Sequence, residues 1–184
     1  MQKPDSWKRV SSNQIADCRV FRVKQDNCIR DSDGKSSDFF TIESPDWVNI
    51  IAFNKSGETV MIEQFRHGTE EMNLELPGGM IDEGEEAEAA ARRELLEETG
   101  YSSGRWILLG KSHPNPAIQN NTIYHYLALD CEETGETAFD QHESIVTKLL
   151  PLNDVMRSIR DGEITHSLVV AAFYYLSLMH ADIA

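Results

Sequence analysis

Residues 76–101 read LPGGMIDEGEEAEAAARRELLEETGY. A Gly-Gly pair leads into an acidic run that holds no glycine, proline or β-branched residue from Glu85 to Glu98. That composition predicts a helix over 86–99, and Gly100 stands where a left-handed residue would end it. Glu94, Glu97 and Glu98 occupy relative positions 0, 3 and 4, so the 3.6-residue period puts them on one face. Like charges at these spacings destabilise an isolated helix. They are compensated by solvent, if this is a plain acidic face, or by a bound divalent cation. Gly78 and Gly79 let the preceding backbone bend sharply and offer a carbonyl to the same ion. Hard oxygen donors of this kind suit Mg2+ or Mn2+.

Working outward, VNIIAFN (48–54) and TVMIEQFR (59–66) flank the turn KSGE and predict a hairpin. Before it, ADCRVFRVKQDNCIR (16–30) and SSDFFTIES (36–44) alternate apolar with polar residues around a turn at DSDGKSSD, which predicts antiparallel strands between Trp7 and about Glu43. After the helix, RWILLGKSH (105–113), TIYHYLALDCE (122–132) and SIVTKLLP (144–151) read as strands. LNDVMRSIRDG (152–162) and THSLVVAAFYYLSLMH (165–180) read as helices, with Asn153 and Thr165 as N-caps. Strands with helices interposed predict an α/β (α+β) sandwich on a mixed sheet. The expected organisation is an N-terminal β extension over 1–45 and a main domain over 46–184.

The 184 residues suffice for one domain with a substantial core, and 40% hydrophobic with 26% charged residues is ordinary for a globular chain. With 31 acidic against 17 basic residues the formal charge is −14, which argues against nucleic acid or an anionic membrane as a partner. Cys18, Cys28 and Cys131 are odd in number and form no CxxC pair, so neither a disulfide framework nor a zinc site is expected. The N-terminal MQKPDSWKRV has no apolar core, and SLVVAAFYYLSLM is short for a membrane span. A cytoplasmic location is expected.

Gly79, Glu85, Arg93, Glu94, Leu95, Glu97, Glu98, Gly100 and Tyr101 resemble the Nudix box, G-x5-E-x7-R-E-U-x-E-E-x-G-U with U a bulky apolar residue; Tyr101 is an aromatic choice for the last U. The chance of meeting its seven fixed residues at random in such a chain is on the order of one in a million or less. The resemblance implies a Nudix hydrolase, an α/β/α sandwich whose loop–helix–loop binds a divalent metal. It implies Glu94, Glu97 and Glu98 as metal ligands, helped by the Gly78 carbonyl. Arg93 and Glu85 are then the pair that orients the carboxylates and ties helix to loop, and Gly79 is structural. Arg93 and Glu97 are counted among the expected catalytic residues.

Upstream, IEQFRHGTEEMNLELPGG (62–79) resembles the branch acting on ADP-ribose and nucleoside diphosphate sugars. This implies that Arg66 contacts a phosphate and that Glu75 sits at the metal or substrate edge. Pro116 falls sixteen residues after Gly100, a placement similar to that of ADP-ribose-type members, but HPNPAIQNN (113–121) lacks the usual SPG and the acidic residue after it, leaving room for other sugar nucleotides. Asn115, Gln119, Asn120 and Asn121 could bond sugar hydroxyls, although an Asn-rich turn needs no ligand to explain it. In this branch the general base lies on a loop before the last sheet strand; Glu143 matches best, with Glu136 and Asp140 as rivals. The N-terminal strands resemble a subdomain that exchanges contacts across a homodimer, and Trp7 or Trp47 could stack on a nucleobase, core or interface packing being the plainer role.

The resemblance therefore implies metal-dependent hydrolysis of the pyrophosphate bond of a nucleoside diphosphate sugar, ADP-ribose or an NDP-hexose, to a nucleoside monophosphate and a sugar phosphate. The alternatives are a dNTP or dinucleoside polyphosphate pyrophosphohydrolase, and a non-catalytic nucleotide-sensing module.

Overall fold

The computed structural model describes residues 3–135, 137, 138 and 144–181. The chain divides into two units, Met1–Pro45 with His113–Asn121, and Asp46–Ser112 with Thr122–Ala184. Residues 113–121 thus fold with the N-terminal strands, although the sequence reading counts them with the main domain.

The first unit is a three-stranded antiparallel sheet in the order β1 (Trp7–Asp17), β2 (Arg22–Arg30), β3 (Ser36–Glu43). The run 16–30, which reads as one strand in sequence, is broken by a turn over Cys18–Phe21, where Cys18 N–H donates to the Phe21 carbonyl. Arg19 takes φ 68° there, steadied by its N–H on Asp17 Oδ1 at 3.0 Å. No glycine or proline advertises this turn; an Asp side chain makes it. The end of β3 is held by segment 118–120: Ile42 N–H donates to the Ile118 carbonyl (2.7 Å), and Ser44 N–H to Asn120 Oδ1 (2.9 Å).

The second unit carries β4 (Trp47–Asn54), β5 (Glu58–Arg66), β6 (Glu71–Glu75), α1 (Ala87–Thr99), β7 (Tyr101–Ser102), β8 (Arg105–Ser112), β9 (Ile123–Glu133), β10 (Val146–Pro151), α2 (Leu152–Asp161) and α3 (Ser167–Ala181). Its sheet runs β10-β5-β4-β9-β7, with β6 on β5 and β8 on β9; β4 and β9 are parallel and the other pairs antiparallel. The period of two sorts β4 onto two cores. Val48, Ile50 and Ala52 pack with Ala90, Ala91 and Leu95 of α1, whereas Ile51 packs with Val155 of α2 and with Val169, Ala172 and Phe173 of α3. This is an α/β/α sandwich on a mixed sheet.

The β4–β5 turn forms where expected: Asn54 Oδ1 accepts the N–H of Ser56 and of Glu58, each at 2.9 Å, and Gly57 takes φ 79°. Helix α1 ends at Gly100 with φ 74° and its N–H on the Leu96 carbonyl. Two expected caps are corrected. Extended Pro151, the last residue of β10, precedes α2, so Asn153 lies inside its first turn. His166, not Thr165, precedes α3 and accepts Val170 N–H at 3.1 Å. Strand β6 alternates polar and apolar residues (EMNLE) over only five positions, and it pairs with β5, Phe65 opposite Met72 and Ile62 opposite Glu75.

Candidate active site

The loop before α1 hangs on β4. Ile50 N–H donates to the Pro77 carbonyl, Val48 N–H to the Gly79 carbonyl, and Ile81 N–H to the Asp46 carbonyl, each at 2.9 Å. In such a ladder the intervening Gly78 turns its N–H and C=O to the opposite flank. There its N–H donates to Glu98 Oε2 at 2.9 Å. Gly78 is not replaceable, because a Cβ there would lie 2.2 Å from the Val48 carbonyl oxygen, whereas a Cβ on Gly79 would lie 2.4 Å from Glu94 Oε1 and push that carboxylate aside. Gly79 is therefore a cradle in which the Glu94 carboxylate rests against backbone.

Arg93 binds the loop to the helix. Its Nε and Nη2 donate to the two carboxylate oxygens of Glu85 (3.1 and 3.0 Å), Nη2 also to the Met80 carbonyl (3.0 Å), and Nη1 to Glu94 Oε1 (2.7 Å) and Glu97 Oε2 (3.2 Å). Hydrogen bonding from Arg93 holds the Glu85 carboxyl below its usual range. Glu85 foremost, with Glu94 and Glu97, fastens the proton on Arg93 against the opposing effect of burial. Three of these carboxylates lie along one face as the spacing requires, but their depths differ. Glu98, on the same stripe as Ala91 and Leu95, is buried, whereas the Glu97 side chain is 41% exposed.

Among the described residues no three acidic, His or Cys side chains stand gathered as a ready metal cluster. Glu94 and Glu97 are turned to Arg93 and Glu98 to Gly78. The residues nonetheless fit a divalent cation. Glu85, Glu94 and Glu97 set three carboxylates on the one guanidinium of Arg93, Glu98 adds a fourth hard oxygen donor beside them on Gly78 N–H, and the Gly79 cradle leaves room for the Glu94 carboxylate.

Arg66 and Glu75 form a separate pair: Arg66 Nε donates to Oε1 at 2.9 Å and Nη2 to Oε2 at 2.6 Å. Trp47 is half-buried at the start of β4, where it bridges Met80. Asn115 and Pro116 belong to the first unit, in which the Asn115 carbonyl accepts N–H bonds from Ile118 and Gln119. Asn120, a candidate for sugar hydroxyls, spends its Oδ1 on Ser44. Trp7 meets Phe39 edge to face at 5.0 Å. Glu143, Glu136 and Asp140 lie outside the described residues.

The sequence reading passed over His166. Its neighbours Ile164 and Val169 pack in one cluster with Leu76, beside Glu75, and burial is the main cause that lowers its pKa, with Glu75 opposing and Arg66 adding to the effect. It also passed over His125, fully buried, with Nε2 2.8 Å from Ser112 Oγ, which desolvation pushes down to about 4. A lone His, in strand β9 for His125 and just before α3 for His166, gives no sign of either.

Residues 44–173 match the NUDIX domain family. The chain is 26% identical over 181 residues to the ADP-ribose pyrophosphatase of Bacillus subtilis (strain 168), covering 98% of this chain and 95% of that protein. It is 31% identical over 136 residues to the GDP-mannose pyrophosphatase of Citrobacter koseri (strain ATCC BAA-895 / CDC 4225-83 / SGSC4696), covering 69% and 71% of the two. A crystal structure of an ADP compounds hydrolase superposes with a TM-score of 0.86 at 21% identity, covering 100% of this chain and 99% of that one, which establishes the likeness of fold.

Proposed function

The chain belongs to the Nudix family, and from that premise we propose that it hydrolyses the pyrophosphate bond of nucleoside diphosphate sugars, ADP-ribose or an NDP-hexose, to a nucleoside monophosphate and a sugar phosphate. The observation that carries the reading is the Glu94–Glu97–Glu98 face set against the Gly78–Gly79 loop with negative charge in excess. Nudix hydrolases use divalent metals; here Glu94, Glu97, Glu98 and the Gly78 carbonyl would hold Mg2+ or Mn2+. When bound, the cation polarises a phosphate oxygen and lowers the pKa of a nearby water.

The chain's own residues do the rest. Arg93 and Glu85 keep the carboxylates facing the loop. Arg66 meets a phosphate of the substrate, for which its guanidinium geometry is suited. Glu143 takes the proton of the attacking water, with Glu136 and Asp140 as the alternatives to be separated by substitution. Trp47, Asn115 and Pro116 are assigned to the nucleotide-sugar side.

A homodimer built through the N-terminal strands is part of the proposal. Val10, Ile15, Val20 and Phe40 of the first unit are each at least half exposed, an apolar display that assembly would cover. No helix among the described residues is long and apolar enough to cross a membrane. The odd number of cysteines supports a reducing compartment, and we assign the protein to the cytoplasm.

The test is phosphate released, after phosphatase treatment, from ADP-ribose, ADP-, UDP- and GDP-sugars, dNTPs and dinucleoside polyphosphates, with Mg2+ or Mn2+ and with EDTA. The expected outcome is metal-dependent turnover concentrated on the diphosphate sugars. Activity confined to dNTPs or polyphosphates would replace the substrate class, and binding without turnover would leave a sensing module.

A further inference from the structure

The Arg66–Glu75 pair is unequal in a way that assigns its members different tasks. The Glu75 side chain is 3% exposed and that of Arg66 is 44% exposed, yet the two share a two-bond fork at 2.9 and 2.6 Å. Strand register makes the contact specific. Arg66 stands opposite Glu71 and Glu75 opposite Ile62, so the Arg66 side chain runs back along the hairpin, past its cross-strand neighbour, to reach the buried carboxylate. A charge that deep is tolerable only when paired and hydrogen-bonded. Both Glu75 oxygens accept from Nε and Nη2, which fixes the plane of the guanidinium. The floor under Glu75 is rigid: its neighbours Leu74 and Leu76 pack in the cluster formed by Ile164, Val169 and Phe173, and His166, which lies in the same stretch, is kept toward its neutral form by burial.

We propose that Glu75 is a positioning residue: it touches neither metal nor substrate but locks the Arg66 guanidinium in the one orientation from which it meets the substrate phosphate. This rests on the reading of Arg66 as a phosphate contact, and it departs from the placement of Glu75 at the metal or substrate edge. A carboxylate that is buried and already shared by two N–H donors has little to offer an ion, whereas a half-exposed guanidinium with a fixed plane is prepaid in side-chain entropy for a phosphate.

The experiment compares wild type, Glu75→Gln, Arg66→Ala, Arg66→Lys and the Arg66→Ala/Glu75→Gln double variant. The readouts are KM and kcat on ADP-ribose at saturating Mg2+, the Mg2+ Kd by calorimetry, and melting temperature. Glu75→Gln is expected to raise KM about 10-fold with kcat within about twofold, and to leave the Mg2+ Kd unchanged. Added to Arg66→Ala it should raise KM no further, because its effect travels through Arg66. It should also recover melting temperature lost in Arg66→Ala, which strands a buried charge. Arg66→Lys keeps the charge and loses the plane, so it should resemble Glu75→Gln in KM.

A weakened Mg2+ Kd or a collapse of kcat in Glu75→Gln would make Glu75 a ligand and overturn the proposal. So would additive KM effects in the double variant. If Arg66→Ala leaves KM at the wild-type value, the phosphate contact itself is lost and the proposal with it, a result separable from the others because it does not involve Glu75. Should Arg66→Ala fail to fold, the Glu75→Gln and Arg66→Lys pair decides by the same KM and Mg2+ criteria.

Discussion

Two arginines of the second unit meet carboxylates in opposite proportions. Arg93 is shared by Glu85, Glu94 and Glu97, with Glu98 close by on the same helix, whereas Arg66 makes a two-bond fork with a single buried carboxylate, Glu75. The first group sets several carboxylates on one guanidinium, and the second sets one carboxylate on one guanidinium. Carboxylates in excess attract a cation, whereas a carboxylate forked onto one guanidinium orients that guanidinium. Similar residues on neighbouring pieces of one loop–sheet junction are thus prepared for different work by stoichiometry and depth.

The largest effect that would sharpen this contrast is at Glu97, the most exposed member of the charge-rich group. Glu97→Gln should lower kcat by roughly 100-fold or more with melting temperature nearly unchanged, because it removes a donor oxygen without opening a core. Near-normal turnover would mean that the excess charge serves no metal. Next comes Arg93→Gln, expected to destabilise the metal-free protein by about 1–3 kcal/mol after allowance for its partial exposure. Mg2+ should raise the melting temperature of this variant more than that of wild type; an equal rise would show that the carboxylates do not compete for one pool of positive charge. The smallest effect is in pH. The folded Glu85 carboxyl titrates below its usual value because of Arg93, so its contribution is complete at neutral pH, holds down to the ordinary carboxylate range near 4.5, and is lost as pH falls further through the lowered pKa. In Glu85→Gln that portion of the acid unfolding curve should flatten; an unchanged curve would remove Glu85 from the group.

What the sequence made legible was local. The composition of 86–98 with Gly100 after it marks α1, and Asn54 with Gly57 marks the β4–β5 turn, because each needs only residues a few positions apart. The box likewise places Glu94, Glu97 and Glu98 on one face. The acceptor each carboxylate finds is a tertiary matter. Spacing does not reveal that Glu98 turns inward to Gly78 N–H, since that depends on how α1 seats against β4. Nor does it reveal the Arg66–Glu75 fork, whose partners are nine residues apart and meet only through the register of β6 on β5. The turn at Cys18–Phe21 and the cap of α2 at Pro151 were hidden for a related reason: an Asp side chain and an extended proline do there what glycine or a polar cap does elsewhere.

The Gly78 amide has one more consequence. Its proton is held by a carboxylate of α1, while the Pro77 and Gly79 carbonyls on either side of it accept N–H bonds from the central strand. Exchange of that single proton with deuterated water can proceed only when Glu98 lets go, so one backbone resonance reports on one side chain. A change in what Glu98 binds is then visible as a change in hydrogen exchange at a glycine twenty residues away in the chain.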